Sequence, residues 1–169
     1  MAMTIPTKKL KSGFEIPVFG IGTWGMGGRF EHDHNNDDAA DIRAIQAAID
    51  FGVSHIDTAE LYAEGHAETL VGKAIRKYDR SKLFIASKVK GEHFAYNDVI
   101  TACENSLRRL DIPYLDLYML HWYEEKPPLA ETIKALDELM KRGLVRNIGV
   151  SNFNVPHLKE AQIYTKNKI

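Results

Sequence analysis

The chain has 169 residues, 44% of them hydrophobic, and a formal net charge of −1. That length can bury one real core, while the near-zero charge gives no electrostatic basis for holding nucleic acid or an anionic membrane. The lone cysteine, Cys103, cannot form an internal disulfide, the opening MAMTIPTKKLKSG has no apolar signal core, and no run approaches the ~20 apolar residues of a membrane span, so a soluble, cytoplasmic protein is expected.

Residues 4–18 alternate apolar and polar around Ser12-Gly13 and predict a β-hairpin, KKLKSGFEIP, ahead of the main fold. VFGIGTW (18–24) reads as a compact apolar strand, and the glycine-rich, then polar GMGGRFEHDHNNDD as a loop. Asp37 or Asp38 can cap the next helix, which sets Ile42, Ile45 and Ile49 on one face and closes at Gly52. VSHIDT is the second strand of the main fold. A helix over 66–78 follows, with Leu70, Val71, Ala74, Ile75 and Tyr78 on one side, and LFIASKV is the third strand. Asn97 is expected to cap a helix with Val99, Ile100, Cys103, Leu107 and Leu110 inward, before the fourth strand, YLDLYMLHW. PPLAETIKALDELMKRG is a helix with proline at its start and Gly143 at its end. LVRNIGVSN is the fifth strand, and VPHLKEAQIY a short last helix.

Strand and helix thus alternate five times at roughly thirty-residue intervals, the rhythm of βα units in a parallel sheet. Near-continuous apolar strands predict a sheet buried on both faces. No linker divides the chain, so residues 1–169 are expected to form a single domain.

Two motifs are set aside. Gly20-x-Gly22-x-x-Gly25 matches the dinucleotide fingerprint GxGxxG, but that motif works only when its last glycine opens a helix that holds pyrophosphate. Here a long polar loop intervenes. His32, Asp33, His34, Asp37 and Asp38 have spacings a metal could use, yet a solvated loop and a helix cap account for them, and no metal is expected. Cys103, at an apolar helix position, reads as a buried inert thiol.

A third set carries chemistry. Asp57 ends VSHIDT's apolar run, Tyr62 lies just beyond it, Lys88 sits at the tip of FIASK, and His121 with Trp122 at the tip of LDLYMLHW. Singly, Asp57 could cap a turn, Tyr62 could pack, Lys88 could be solvated and His121 could satisfy a carbonyl. Together they share the C-terminal ends of consecutive parallel strands, where α/β barrels and sheets build their sites. A free phenol ionises near about pH 10 and is a poor donor at neutrality. A neighbouring ammonium favours the phenolate, a carboxylate holds that ammonium charged, and a histidine donor can share charge developing on a carbonyl oxygen. The set reads as a device for protonating a carbonyl while something else supplies hydride.

HIDTAELYAEGHAETLVGKAI, FIASKV, YLDLYMLHW and GLVRNIGVSNF, in that order and over nearly the whole chain, resemble the aldo-keto reductase family. The resemblance implies a (β/α)8 TIM barrel of which this chain supplies about five βα units after an N-terminal hairpin, the C-terminal part of the barrel being absent. It implies reduction of aldehydes or ketones to alcohols with NADPH, NADH being the alternative cofactor. Tyr62 would be the general acid, assisted by Lys88, Asp57 and His121. Gly22, Thr23, Trp24, Asp57, Ser151 and Asn152 would meet the cofactor, the last two through the nicotinamide carboxamide. Trp24, Tyr62, His121 and Trp122 would line the pocket for a small-molecule carbonyl substrate. Five strands do not close a barrel, and their open edges invite pairing, so a complementing C-terminal fragment or self-association is an expected partner. The alternative from another class is a catalytically inactive barrel fragment or a non-catalytic, cofactor-sensing binding subunit.

Overall fold

Strands β1 (Thr7–Lys9) and β2 (Glu15–Pro17) pair antiparallel as the N-terminal hairpin. The structure, a computed structural model, describes residues 5–10 and 13–169; of the expected hairpin turn, Ser12 lies outside them. Five parallel strands follow in chain order, β3 (Gly20–Gly22), β4 (His55–Asp57), β5 (Phe84–Val89), β6 (Leu117–Leu120) and β7 (Ile148–Val150). Helices α1 (Asp38–Asp50), α2 (His66–Ile75), α3 (Tyr96–Leu110), α4 (Leu129–Lys141) and α5 (Val155–Ile163) alternate with them. Each strand lies beside its predecessor, so all five C-terminal tips stand on one rim. No described helix is long and apolar enough to cross a membrane.

Local chemistry sets most helix ends. Asp37 caps α1 by accepting from the Ala40 amide at 2.9 Å, and Asn154 caps α5 from the His157 amide at 2.8 Å. Beyond α4, Gly143 takes the left-handed conformation, φ 74°. Two boundaries differ from expectation. Asn97 does not cap α3: the helix starts at Tyr96 after an extended Ala95, and the Tyr96 amide is satisfied by Glu131 of α4 at 3.1 Å. Helix α2 stops at Ile75 rather than at 78, because Tyr78 turns away to place its hydroxyl on the Gln46 carbonyl and the Asp50 carboxylate, 3.1 and 2.8 Å.

The expectation of a sheet buried on both faces holds for β5 alone, whose six residues are all buried. In β6, Tyr118 and Leu120 are fully buried under helices, whereas Leu117 and Met119 are only partly covered. Side chains alternate across a strand, so one face of the sheet packs on α1–α4 and the other is open. A cavity of about 860 Å³ lies along that open face, bounded by Phe14, Ile16, Leu117, Met119 and Val150. The packed side holds the core, including Ile45, Ile56, Leu70, Ile85, Leu110 and Leu136, each with no exposed surface.

At the opposite rim, Asp116 ties three strands together. It accepts from the Ile85 amide at 2.9 Å and pairs with Arg80 at 2.7 Å and Arg146 at 3.2 Å, while both guanidinium groups pack on Tyr114. Helices α2 and α3 meet at Gly72, where an added Cβ would lie 2.6 Å from the Leu110 carbonyl oxygen. Gly72→Ala would gain up to about 1 kcal/mol in helix propensity, but backbone cannot retreat as a side chain can, and overpacking costs about 1–3 kcal/mol. The substitution is therefore expected to lower the urea midpoint, and an unchanged or raised midpoint would show that the two helices are not held this close.

Candidate active site

The rim of C-terminal strand tips brings the expected residues together. Register places Asp57 of β4 between Gly22 of β3 and Ala86 of β5, and Lys88 lies two residues beyond Ala86. Lys88 is 5% exposed, and its ammonium donates to Asp57 Oδ2 at 2.7 Å, to the Thr58 carbonyl at 2.9 Å and to the Tyr62 hydroxyl at 3.1 Å. An ammonium has three donors, and all three are used. The Asp57 side chain keeps 34% of its surface exposed, so the pair is only half withdrawn from water and the carboxylate still meets the pocket.

Tyr62 reaches this position through an unusual turn. Ala63 (φ 50°, ψ 42°) and Glu64 (φ 56°, ψ 32°) are both left-handed, and Gly65 continues at φ 87°. For residues with a Cβ that conformation costs about 1–2 kcal/mol each, so the surroundings must hold it. The β3–α1 loop does part of this, with the Arg29 and Phe30 carbonyls accepting from the Ala63 and Glu64 amides at 2.6 and 3.1 Å.

His121, 4% exposed, stands edge-on to Tyr62 with ring centroids 5.6 Å apart and stacks on Trp122 at 3.7 Å. Its Nδ1 is buried with no hydrogen-bond partner among the described residues. Burial, and then the Lys88 charge, push its pKa down to about 4, so the ring is neutral near neutral pH. Trp24 lies edge-on to Tyr62 at 5.0 Å and to Phe30 at 4.9 Å. Trp24, Phe30 and Trp122 are each at least 40% exposed, forming an aromatic mouth above the polar group. Phe30 carried no signal in the sequence beyond being an aromatic in a glycine-rich loop.

The remaining expected residues split. Thr23 is fully buried, and its amide and hydroxyl both donate to the Asp57 carbonyl, at 3.0 and 3.2 Å, so it secures the β4 tip. Gly22 ends β3 beside Asp57. At the tip of β7, Asn152 is left-handed (φ 57°), and its side-chain amide donates to the His121 carbonyl at 2.9 Å and to Ser151 Oγ at 3.1 Å. Asn152 Oδ1 and the Ser151 hydroxyl proton make no hydrogen bond among the described residues.

The two motifs set aside have structural uses. Gly25 (φ 94°) and Gly27 (φ 75°) shape the β3–α1 loop, and the next helix begins only at Asp38. His32 of that loop stacks on His66 of α2 (3.8 Å) and meets His34 at a tilt (4.4 Å), and His66 Nε2 sits 2.7 Å from Asp38. No group of three or more His, Cys, Asp or Glu side chains among the described residues is arranged to hold a metal ion. Cys103 is fully buried, and burial raises its thiol pKa far above the ordinary range.

The Aldo/keto reductase family model matches residues 18–169. The chain belongs to that family. It is 40% identical over 145 residues to the methylglyoxal reductase YeaE of Escherichia coli, covering 86% of this chain and 49% of that protein. It is 41% identical over 156 residues to the glyoxal reductase of Bacillus subtilis, covering 91% and 52%. Among solved structures, a thermostable aldo-keto reductase in complex with epalrestat superposes with a TM-score of 0.93 at 44% identity, over 97% of this chain and 60% of that one. A Klebsiella pneumoniae aldo-keto reductase in complex with NADPH gives 0.81 at 40% identity, over 93% and 53%. This aldo/keto reductase chain therefore spans about half the length of the curated relatives it matches, and its open sheet is part of the family's (β/α) barrel fold.

The depressed His121 has a signed consequence. Its folded pKa of about 4 lies below the ordinary 6.5. Above 6.5 both states are neutral there and stability is undiminished. As the pH falls toward 4 the unfolded chain takes up a proton that the folded chain refuses, and stability is lost by at most about 3 kcal/mol. His55, also held low by burial, adds to the same slope. Urea midpoints should fall between pH 6.5 and 4, and His121→Gln should flatten most of that fall; an equal slope in the variant would remove His121 as its source.

Proposed function

We propose that this chain carries the acid–base and substrate side of an NAD(P)H-dependent carbonyl reductase that converts aldehydes or ketones to alcohols, with Tyr62 as general acid. The observation that carries the reading is the three-way bonding of the buried Lys88 ammonium to Asp57, Thr58 and Tyr62. It is supported by the names of the relatives, a methylglyoxal and a glyoxal reductase, and by the NADPH in the Klebsiella neighbour.

The cofactor's part is to supply hydride to the carbonyl carbon. As that carbon is reduced, negative charge gathers on the carbonyl oxygen, and Tyr62 gives it the hydroxyl proton. Lys88, 3.1 Å from the phenol oxygen, stabilises the phenolate left behind, and Asp57 at 2.7 Å keeps the ammonium charged and fixed. His121, neutral, orients the carbonyl oxygen as an N–H donor without adding a cation that would repel Lys88. Trp24 and Trp122 take the substrate's body and exclude water from the reacting oxygen.

The residues present fit the nicotinamide end of the cofactor. A carboxamide offers an N–H donor and a carbonyl acceptor, and the unspent groups of Ser151 and Asn152 are a hydroxyl donor and an amide-oxygen acceptor. Gly22 and Trp24 would border the ring with Asp57, while Thr23 acts behind them. NADPH is the proposed cofactor and NADH the alternative, which one relative's description as NAD/NADP-dependent keeps in view. We further propose that turnover requires the open face beside Leu117 and Met119 to be covered, by a complementing C-terminal segment or by self-association.

NADPH oxidation by the purified chain with a reactive generic aldehyde is expected to fall about 10²–10⁴-fold in Tyr62→Phe, with cofactor binding retained. Equal rates in the two proteins would sink the assignment of Tyr62. Absence of turnover in the unsubstituted chain even when a complementing C-terminal segment is supplied would favour the inactive-fragment or cofactor-sensing reading.

A further inference from the structure

Glu68 is the first-turn acid of α2 and has no exposed surface. Its Oε2 accepts from Arg109 Nε at 2.7 Å, and its Oε1 accepts from the Ser87 hydroxyl at 2.5 Å. Ser87 immediately precedes Lys88 on β5. Arg109, near the end of α3, lies with its guanidinium over Gly65: a Cβ added there would come within 2.5 Å of Nε and 2.8 Å of Cζ. Gly65 closes the left-handed turn that begins at Ala63.

One carboxylate therefore grips both halves of the catalytic contact, the strand that carries Lys88 and the cation that backs the turn behind Tyr62. The turn is clasped from its other side by the Arg29 and Phe30 carbonyls. Arg109 would drift from Gly65 without Glu68, since its only other side-chain partner among the described residues is Ser106 at 3.3 Å. Gly65 is required here twice over, by its φ of 87° and by the guanidinium against it.

We infer that the buried Glu68–Arg109 pair is a positioning device for the general acid: it holds the left-handed turn 63–65 so that the Tyr62 hydroxyl stays within hydrogen-bond reach of Lys88. The inference rests on the proposed role of Tyr62. Neither residue touches substrate or cofactor. A misplacement of about 1 Å in a reacting group costs about 10²-fold in rate, so the pair matters to turnover far more than to substrate or cofactor affinity.

The test uses Arg109→Met, Arg109→Lys and the milder Glu68→Gln, which keeps its hydrogen-bonding shape should the first variant fail to fold. Amide exchange read by NMR is expected to quicken about ten-fold or more at Ala63 and Glu64 in Arg109→Met. The Ile85 amide, held by Asp116, should stay as in the unsubstituted chain. In aldehyde reduction, kcat should fall about 10²-fold at unchanged KM for NADPH, and Arg109→Lys, which keeps the charge, should recover part of it. Exchange that rises equally at all amides, or stays unchanged at Ala63 and Glu64, overturns the inference. So does a loss confined to KM. If the unsubstituted chain does not turn over even with a complementing C-terminal segment supplied, the proposed reaction fails while the exchange measurement still decides whether the pair holds the turn.

Discussion

Everything at the C-terminal rim depends on one ammonium group. Lys88 sits near the end of the only strand among the described residues that is buried throughout, and a cation there must be fully bonded, since a buried charge left without partners would neutralise or unfold its surroundings. Asp57 from β4, the Thr58 carbonyl and the Tyr62 hydroxyl supply the three acceptors. Because those acceptors come from a neighbouring strand and the turn after it, the requirement to satisfy Lys88 fixes the register of β4 on β5 and the path of the chain from 57 to 62. A structural need and a chemical arrangement are thereby met by the same contacts.

Two further constraints keep that arrangement in place. The glycine-rich β3–α1 loop packs an aromatic on Trp24 and lends its carbonyls to the turn behind Tyr62, while Thr23 bonds the carbonyl of Asp57. At the far rim, Asp116 with Arg80 and Arg146 fastens the starts of β5, β6 and β7. Between them lies a sheet with helices on one face and an open apolar face on the other, in a chain that matches about half the length of its relatives. The acid–base residues gather at the strand tips, where groups from β4 and the turn after it bond Lys88, which is why they are assembled although the open face is not covered.

Much of this was legible in the residues. Apolar runs ending in Asp57, Lys88 and His121 marked strand tips, and five strand–helix alternations marked a parallel sheet, so the gathering of these side chains on one rim followed from topology. What was not legible is non-local. Glu68 and Arg109 look like ordinary solvated helix charges, and only packing shows that one is fully buried and the other lies on Gly65. Nothing local announces left-handed Ala63 and Glu64, because their conformation is imposed by carbonyls from residues 29 and 30. The start of α3 at Tyr96 depends on a carboxylate from α4. Apolar character predicts burial on both faces for all five parallel strands and this holds for β5 alone, since an apolar strand records what could cover it, not what does.

The Tyr62–Lys88–Asp57 contact is already assembled in this chain. It is tested most directly by the side-chain ammonium spectrum of the protein labelled with ¹⁵N-lysine. Solvated ammonium protons exchange too fast to be seen at neutral pH, whereas a group with all three donors bonded and almost no exposed surface is protected. One protected ammonium resonance is expected, absent in Lys88→Met and displaced in Tyr62→Phe. A spectrum with no protected ammonium, or one whose resonance ignores the loss of the Tyr62 hydroxyl, would contradict it.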